Sequence, residues 1–240
     1  MSNNAAGAWK CTACGNVTAE GFDACGKCGS WGGAIRAIGV QAPREVGSSR
    51  WVLLADAEPR PVFRLDVAEP WQTALGGGLA MGSSVLVDGR PKAGKTTEAL
   101  RLACSLPGSR FIPCEPGQDA SRLRIIAERE GLDMSAIYVA EDCRTLAETV
   151  DALGELPAGT PLAIVDSLSF LGDLEAWTLL RGACPSCALL CIMHVTKTGR
   201  MAGRNVLRHA ADTTVHITKT ALLVKENRFA SGPDAVRVPR

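Results

Sequence analysis

The sequence predicts an α/β protein: a mainly parallel sheet flanked by helices, with a small metal-held ribbon in front of it. Three observations carry this expectation. From Trp71 onward, short apolar runs alternate with segments of helical spacing, the pattern of parallel strands joined by crossover helices. The stretch Gly89-Arg90-Pro91-Lys92-Ala93-Gly94-Lys95-Thr96 lies between one such strand and one such helix, where a phosphate-binding loop belongs. Cys11, Cys14, Cys25 and Cys28 form two Cys-x2-Cys knuckles separated by ten residues, a spacing that gathers four thiolates around one Zn²⁺.

Residues 1–35 read as the zinc ribbon. Gly15 and Gly29 follow the knuckles and let the backbone turn under a metal. A segment this small cannot bury a sufficient core unaided, so the metal must supply folding energy. A disulfide framework, the other reading of these cysteines, would need an oxidising compartment. Residues 36–70 read as a linker rich in Pro, Gly, Ser and charge, with extended pieces at Trp51–Leu54 and Pro61–Leu65.

Residues 71–240 form the α/β core. Strands are expected at Ser83–Val87, Arg110–Pro113, Ala136–Ala140, Ala163–Val165 and Ala188–Val195. Helices are expected at Glu98–Ser105, Ala120–Glu130, Thr145–Leu153 and Leu174–Leu180, with a short one from Val206 to His209. The tail reads as strands Thr213–Ile217, Ala221–Val224 and Ala235–Val238 joined by turns.

Composition narrows the class. The chain has 240 residues, 46% hydrophobic and 21% charged, which excludes a largely disordered chain. Its longest clean apolar run, Ala188–Val195, is far short of a membrane span. No basic start followed by an apolar stretch marks a signal peptide, so a cytoplasmic protein with no membrane partner is expected. Cys184, Cys187 and Cys191 border or enter a buried strand and read as small core residues, with a redox Cys-x2-Cys pair as the alternative. Cys104, Cys114 and Cys143 read as core or near-core thiols.

The loop Gly89–Thr96, followed by Thr97, is the most specific motif. Its glycines let successive N–H groups face inward, and the next helix contributes its positive end. Lys95 can reach the β- and γ-phosphates of ATP, and the Thr96 hydroxyl can ligate Mg²⁺. Asp166, after the apolar Leu162–Val165, is the candidate carboxylate on Mg²⁺. Glu115, just beyond Arg110–Pro113, is the candidate base that orients water.

At this point the chain resembles the RadA/Sms family of bacterial DNA repair and recombination ATPases. The ribbon ends Cys25-Gly26-Lys27-Cys28-Gly29-Ser30-Trp31, like the family's C-x2-C-x2-W. Leu75-Gly76-Gly77-Gly78 with Gly82-Ser83 is similar to its lead into the phosphate loop. Ile164-Val165-Asp166-Ser167 resembles its Walker B strand. His194-Val195-Thr196-Lys197-Thr198-Gly199, followed by Ala202-Gly203 and Val206-Leu207, and then Lys225-Glu226-Asn227-Arg228-Phe229-Ala230, resemble its HVTK-x-G segment and KNRFG signature.

The resemblance implies a RecA-like core that assembles as a hexameric ring or filament, hydrolyses ATP and binds single-stranded or branched DNA, with a recombinase or helicase as partner. It implies that His194 senses the γ-phosphate and that Thr196–Gly203 lies near a DNA channel. It also implies that Lys225 and Arg228 reach a neighbouring subunit's nucleotide. The sequence departs from the family in four places. Glu226 and Ala230 alter the signature, and the Asp166–His194 interval is short. The Trp before the second knuckle is missing, and the sequence stops before the Lon-protease-like domain that usually follows. A short form is therefore expected.

The net charge of +1 conceals an asymmetry. Residues 195–240 hold nine Lys/Arg against three acids, and residues 1–194 hold 17 against 22. A tail of net +6 can neutralise phosphates, and Arg200, Arg204 and Arg208 recur at a spacing that puts them on one helical face. The expected function is a DNA-dependent ATPase of repair and recombination using ATP, Mg²⁺ and Zn²⁺. The alternatives are a DnaB-like or plasmid-replication ring helicase, and a nucleotide-binding adaptor with weak hydrolysis.

Overall fold

The computed structural model describes residues 8–11, 13–14, 16–18, 24–25, 27–28, 34–37, 61–172, 174–194, 204–230 and 236–240. The chain divides into two compact units, Met1–Arg60 and Pro61–Arg240. The expected extended piece Trp51–Leu54 lies outside the described residues.

The first unit carries a three-stranded antiparallel sheet of β1 (Ala8–Cys11), β2 (Val17–Thr18) and β3 (Ala34–Ala37), in the order β2-β1-β3. Trp9 pairs with Thr18, and Cys11 pairs with Ala34.

The second unit begins at residue 61 and opens with a small antiparallel pair, β4 (Arg64–Leu65) and β5 (Leu79–Ala80). The short helix α1 (Trp71–Ala74) lies between them in sequence. An eight-stranded sheet then forms from β6 (Ser84–Asp88), β7 (Arg110–Pro113), β8 (Tyr138–Val139), β9 (Leu162–Asp166), β10 (Ala188–Ile192), β11 (Thr213–Ile217), β12 (Ala221–Asn227) and β13 (Val236–Pro239). Its order is β13-β12-β11-β6-β10-β9-β7-β8. The pairs from β8 through β11 are all parallel, and β11, β12 and β13 pair antiparallel at one edge. The expected mainly parallel α/β sheet is what forms.

Helices cover both faces: α2 (Lys95–Cys104), α3 (Ala120–Arg129), α4 (Leu146–Gly154), α5 (Leu174–Ala183) and α6 (Arg204–Ala210). The alternation of strand side chains divides the apolar residues into two cores. Val85, Val87, Leu162, Ile164, Leu190 and Ile192 pack on one face with Ala99, Leu102 and Leu123 of α2 and α3. Leu86, Ala163, Val165, Leu189 and Cys191 pack on the other with Leu153, Trp177, Leu180 and Leu207 of α4, α5 and α6. β6, β9 and β10 are buried throughout. This is why they read as continuous apolar runs rather than alternating ones.

Local chemistry sets the helix starts. The Asp119 side chain accepts the Arg122 N–H and caps α3. Thr145 and Glu148 form a reciprocal capping box at the start of α4. α2 begins three residues before the expected Glu98, because Gly94 is its N-cap, at φ +92°. The left-handed φ favours glycine there. No helix among the described residues is long and apolar enough to cross a membrane.

Ile164 is fully buried at the centre of β9. Ile164→Ala should therefore cost about 2–5 kcal/mol of stability, read as a lowered urea midpoint for the Pro61–Arg240 unit. A midpoint within error of wild type would mean that this core is not packed as described.

Candidate nucleotide and metal sites

The four ribbon cysteines converge. Their Sγ atoms all lie within 4.8 Å of one another, with Cys11 and Cys28 at 3.8 Å and Cys14 and Cys25 at 3.7 Å. A tetrahedron with metal–sulfur distances of about 2.3 Å has edges of about this length, so the cluster fits a zinc ribbon. The backbone N–H groups of Cys28 and Lys27, aimed at the Cys25 sulfur, hold its pKa down to about 6. Hydrogen bonding thus favours the thiolate, the form that ligates metal. No disulfide joins any cysteine among the described residues.

The other cysteines are built differently. Cys184, Cys187 and Cys191 are buried in the second core. Burial raises all three pKa values, to about 12 for Cys187. Cys104 and Cys114 are pushed up to about 11 by the same cause, and Cys143 is also raised by burial. These thiols stay protonated, and all but the partly buried Cys104 pack in the second core as small apolar groups.

The phosphate loop leaves the C-terminal end of β6 and enters α2. Gly89 passes so close to β11 that a Cβ would come within 2.5 Å of the Ile217 carbonyl oxygen. Arg90, Pro91 and Lys92 are exposed at its tip, and Ala93 is buried beneath. The buried Lys95 ammonium donates to the carbonyls of Gly89 (3.0 Å) and Arg90 (3.2 Å). The Thr96 hydroxyl donates to Asp166 Oδ2 at 2.6 Å, which joins the loop to the end of β9.

The remaining candidates arrive from neighbouring strand ends. The backbone N–H groups of Cys114 and Glu115 donate to the Asp166 carbonyl, at 2.6 and 3.1 Å, which sets Glu115 beside Asp166. His194 follows β10, and its Nε2 is 3.3 Å from Glu115 Oε2. Its backbone N–H donates to Ser169 Oγ at 2.9 Å, and Phe170 meets the ring edge-on. Glu115, Asp166 and His194 each offer a ligand atom within 4.8 Å of the others. Burial raises the Asp166 pKa, against the pull of hydrogen bonds from Thr96 and Gln118. Lys92, Lys95, Thr96, Thr97, Glu115 and His194 line one cleft of about 320 Å³, together with Gln118 and Arg122. Thus Lys95, Thr96, Glu115, Asp166 and His194 meet at one sheet edge.

Lys225 and Arg228, expected to reach a neighbouring subunit's nucleotide, do not line the cleft of their own chain. Lys225 is exposed on β12. Arg228 donates to the His209 carbonyl and lies 3.6 Å from the Asp212 carboxylate, so within this chain it is held away from the cleft. Arg208, expected on a DNA-facing stripe, turns inward. Its Nη2 donates to the fully buried Asp88 at 3.0 Å, and Asp88 also pairs with His216 Nδ1. Helical spacing gives a shared face but not its direction, and the buried carboxylate at the end of β6 captures this arginine. Residues 195–203, including Arg200, and the Arg204 side chain lie outside the described residues.

Sequence reasoning missed Gln118. Its Nε2 donates to Asp166 Oδ2 at 3.0 Å and approaches Thr96 Oγ1 at 3.4 Å. The only signal was a polar residue three positions past Glu115, in the loop ahead of α3. It also missed Arg144, which donates to the Pro113 carbonyl and, at 3.1 Å, to the Gln118 carbonyl. That fork braces both ends of the loop carrying Glu115.

No family model matches the chain. Individual curated proteins do. DNA repair protein RadA of Mycolicibacterium smegmatis is 27% identical over 241 residues, covering 87% of this chain and 51% of that protein. RadA of Mycobacterium tuberculosis (strain H37Rv) is 29% identical, covering 89% and 49%. RadA of Streptococcus pyogenes serotype M1 is 26% identical, covering 92% and 54%. The matches support a RadA/Sms family member. The chain spans about half the length of these RadA proteins.

The cysteine geometry yields a direct test. Cys25→Ser should reduce bound zinc from about one per chain to near zero, measured by metal analysis of the purified full-length chain. Full zinc occupancy in that variant would remove Cys25 from the ligand set.

Proposed function

We propose that the protein is an ATP hydrolase that works on DNA during repair. The observation that carries this reading is the cleft that the phosphate loop shares with Glu115 and His194, with Asp166 bonded to Thr96 beside them. The RadA resemblance over nearly the whole chain points the same way.

In this mechanism the loop N–H groups and the N-terminal end of α2 bind the triphosphate. Lys95 exchanges its bonds to the Gly89 and Arg90 carbonyls for the β- and γ-phosphate oxygens. A bound Mg²⁺ would neutralise charge on those oxygens, with Thr96 and Asp166 as the residues that hold it. Gln118 fixes the orientation of the Asp166 carboxylate. Glu115 orients the attacking water and takes its proton, while His194 contacts the γ-phosphate and reports its loss along β10.

Lys225 and Arg228 would complete a neighbouring subunit's site in a hexameric ring or filament. For Arg228 this requires release from His209 and Asp212. Residues 195–203 with Arg204 would meet the phosphates of single-stranded or branched DNA. The zinc ribbon would serve a recombinase or helicase partner, in the cytoplasm.

Lys95→Ala should abolish ATP turnover while leaving zinc content unchanged, measured by phosphate release with and without single-stranded DNA. Turnover near wild type in that variant would sink the assignment. A wild-type chain that binds ATP but does not turn it over would favour the adaptor reading instead. Arg200→Ala combined with Arg204→Ala should weaken DNA binding and flatten its salt dependence by up to about two phosphates' worth of slope. An unchanged salt titration would remove this segment from the DNA site.

A further inference from the structure

A second set of contacts holds the phosphate loop from outside the cleft, and it comes from the far end of the sheet. Arg240 follows the edge strand β13. Its Nε donates to Glu98 Oε1 at 2.8 Å, and its Nη1 donates to the Ala93 carbonyl at 2.8 Å and the Thr218 carbonyl at 3.0 Å. Its backbone N–H donates to the Thr220 carbonyl at 3.1 Å, which fixes where the side chain starts. The guanidinium lies so close to the loop that a Cβ on Gly94 would come within 2.7 Å of Nη2.

Two physical consequences follow. In a planar trans peptide the C=O and N–H point in opposite directions. With the Ala93 carbonyl turned toward Arg240, the Gly94 N–H points away from it. The second consequence is electrostatic. Glu98 sits in the first turn of α2, is 1% exposed, and has one carboxylate oxygen buried without a partner. Its Oε1 takes Arg240 at 2.8 Å and is 3.5 Å from Arg101 Nε. A buried carboxylate one turn from the loop opposes an anionic ligand, and the adjacent guanidinium cancels that charge at short range.

We propose that Arg240 is a positioning residue of the nucleotide site, fixing the Ala93 carbonyl of the phosphate loop and neutralising Glu98 beneath it. The assignment rests on the reading of the cleft as an ATP site. It makes the antiparallel edge of the sheet part of the nucleotide-binding apparatus, although no described residue of that edge lines the cleft of its own chain.

The test is ATP·Mg²⁺ binding to the full chain by calorimetry. Arg240→Ala should weaken binding about ten-fold or more, with far-ultraviolet circular dichroism and zinc content unchanged. Millimolar guanidinium should restore part of the affinity, which a general loss of packing would not allow. Adding Glu98→Gln to Arg240→Ala should recover the electrostatic part and leave the part due to the Ala93 carbonyl. If the alanine variant does not fold, Arg240→Lys replaces it. It keeps the charge but not the fork, so intermediate affinity is expected and wild-type affinity overturns the proposal. Unchanged affinity in folded Arg240→Ala, or a loss that guanidinium leaves untouched, also overturns it. A wild-type chain that binds no ATP overturns both this assignment and the reading beneath it. Normal wild-type binding with an unaffected Arg240→Ala overturns the brace alone.

Discussion

Asp166 ends a strand that is buried along its whole length, and its carboxylate shares that burial. One oxygen takes hydrogen bonds from Thr96 and Gln118, while the other is buried with no partner. A half-satisfied carboxylate in such surroundings is costly. The cost appears as a raised pKa, driven first by burial. Because the folded pKa lies above the unfolded one, the proton favours the native state at low pH, and that contribution is lost as pH rises through the folded pKa. The rest of the cleft is registered to this residue. The Asp166 carbonyl holds the backbone of Cys114 and Glu115, and the parallel pairing of β9 with β10 places His194 two residues beyond the partner of Asp166.

The two units solve the folding problem by different means. The larger one buries strands on both faces and can hold a carboxylate inside because so much apolar packing surrounds it. The smaller one has strands of two to four residues, too little surface to bury for independent stability. There the four thiolates take over the role of a core, and the lowered Cys25 pKa shows the backbone already arranged to favour the ligating form. The same element serves opposite ends in the two units. Cys25 is drawn toward the thiolate by N–H groups, while Cys191 is kept protonated by complete burial.

The sheet was legible because its central strands β6, β9 and β10 are buried throughout and carry unbroken apolar runs, with polar residues only at their ends. Arg110–Pro113 and Thr213–Ile217 fall on their expected limits. β4 falls inside the expected extended piece Pro61–Leu65, but its partner β5 and the four-residue helix α1 were not legible, since elements that short carry no period. Lys95, Thr96, Glu115 and Asp166 could be picked out because each sits at a strand end or in a motif, and parallel strands bring such ends together. Gln118, Arg144 and Arg240 could not. Their partners lie 48, 31 and 142 residues away, and nothing local marks a side chain chosen for a contact that only the folded topology creates. Arg208 shows the same gap from the other side: its spacing was readable, but its direction was set by Asp88, 120 residues earlier.

These internal partners change the meaning of the basic tail. Of the nine cations in residues 195–240, three among the described residues are engaged by acids of the same chain. Arg208 meets the buried Asp88, Arg240 meets the buried Glu98, and Arg228 leans on Asp212. A guanidinium bonded to a buried carboxylate is not available to release counterions from a nucleic acid, because leaving it would strand the acid in a low-dielectric interior. Part of the net +6 is therefore spent on the phosphate loop, which Asp88 precedes and Glu98 follows. Under the proposed function, DNA contact from this region falls to other cations of the tail, among them Lys197, Arg200 and Arg204, which follow His194 in the sequence.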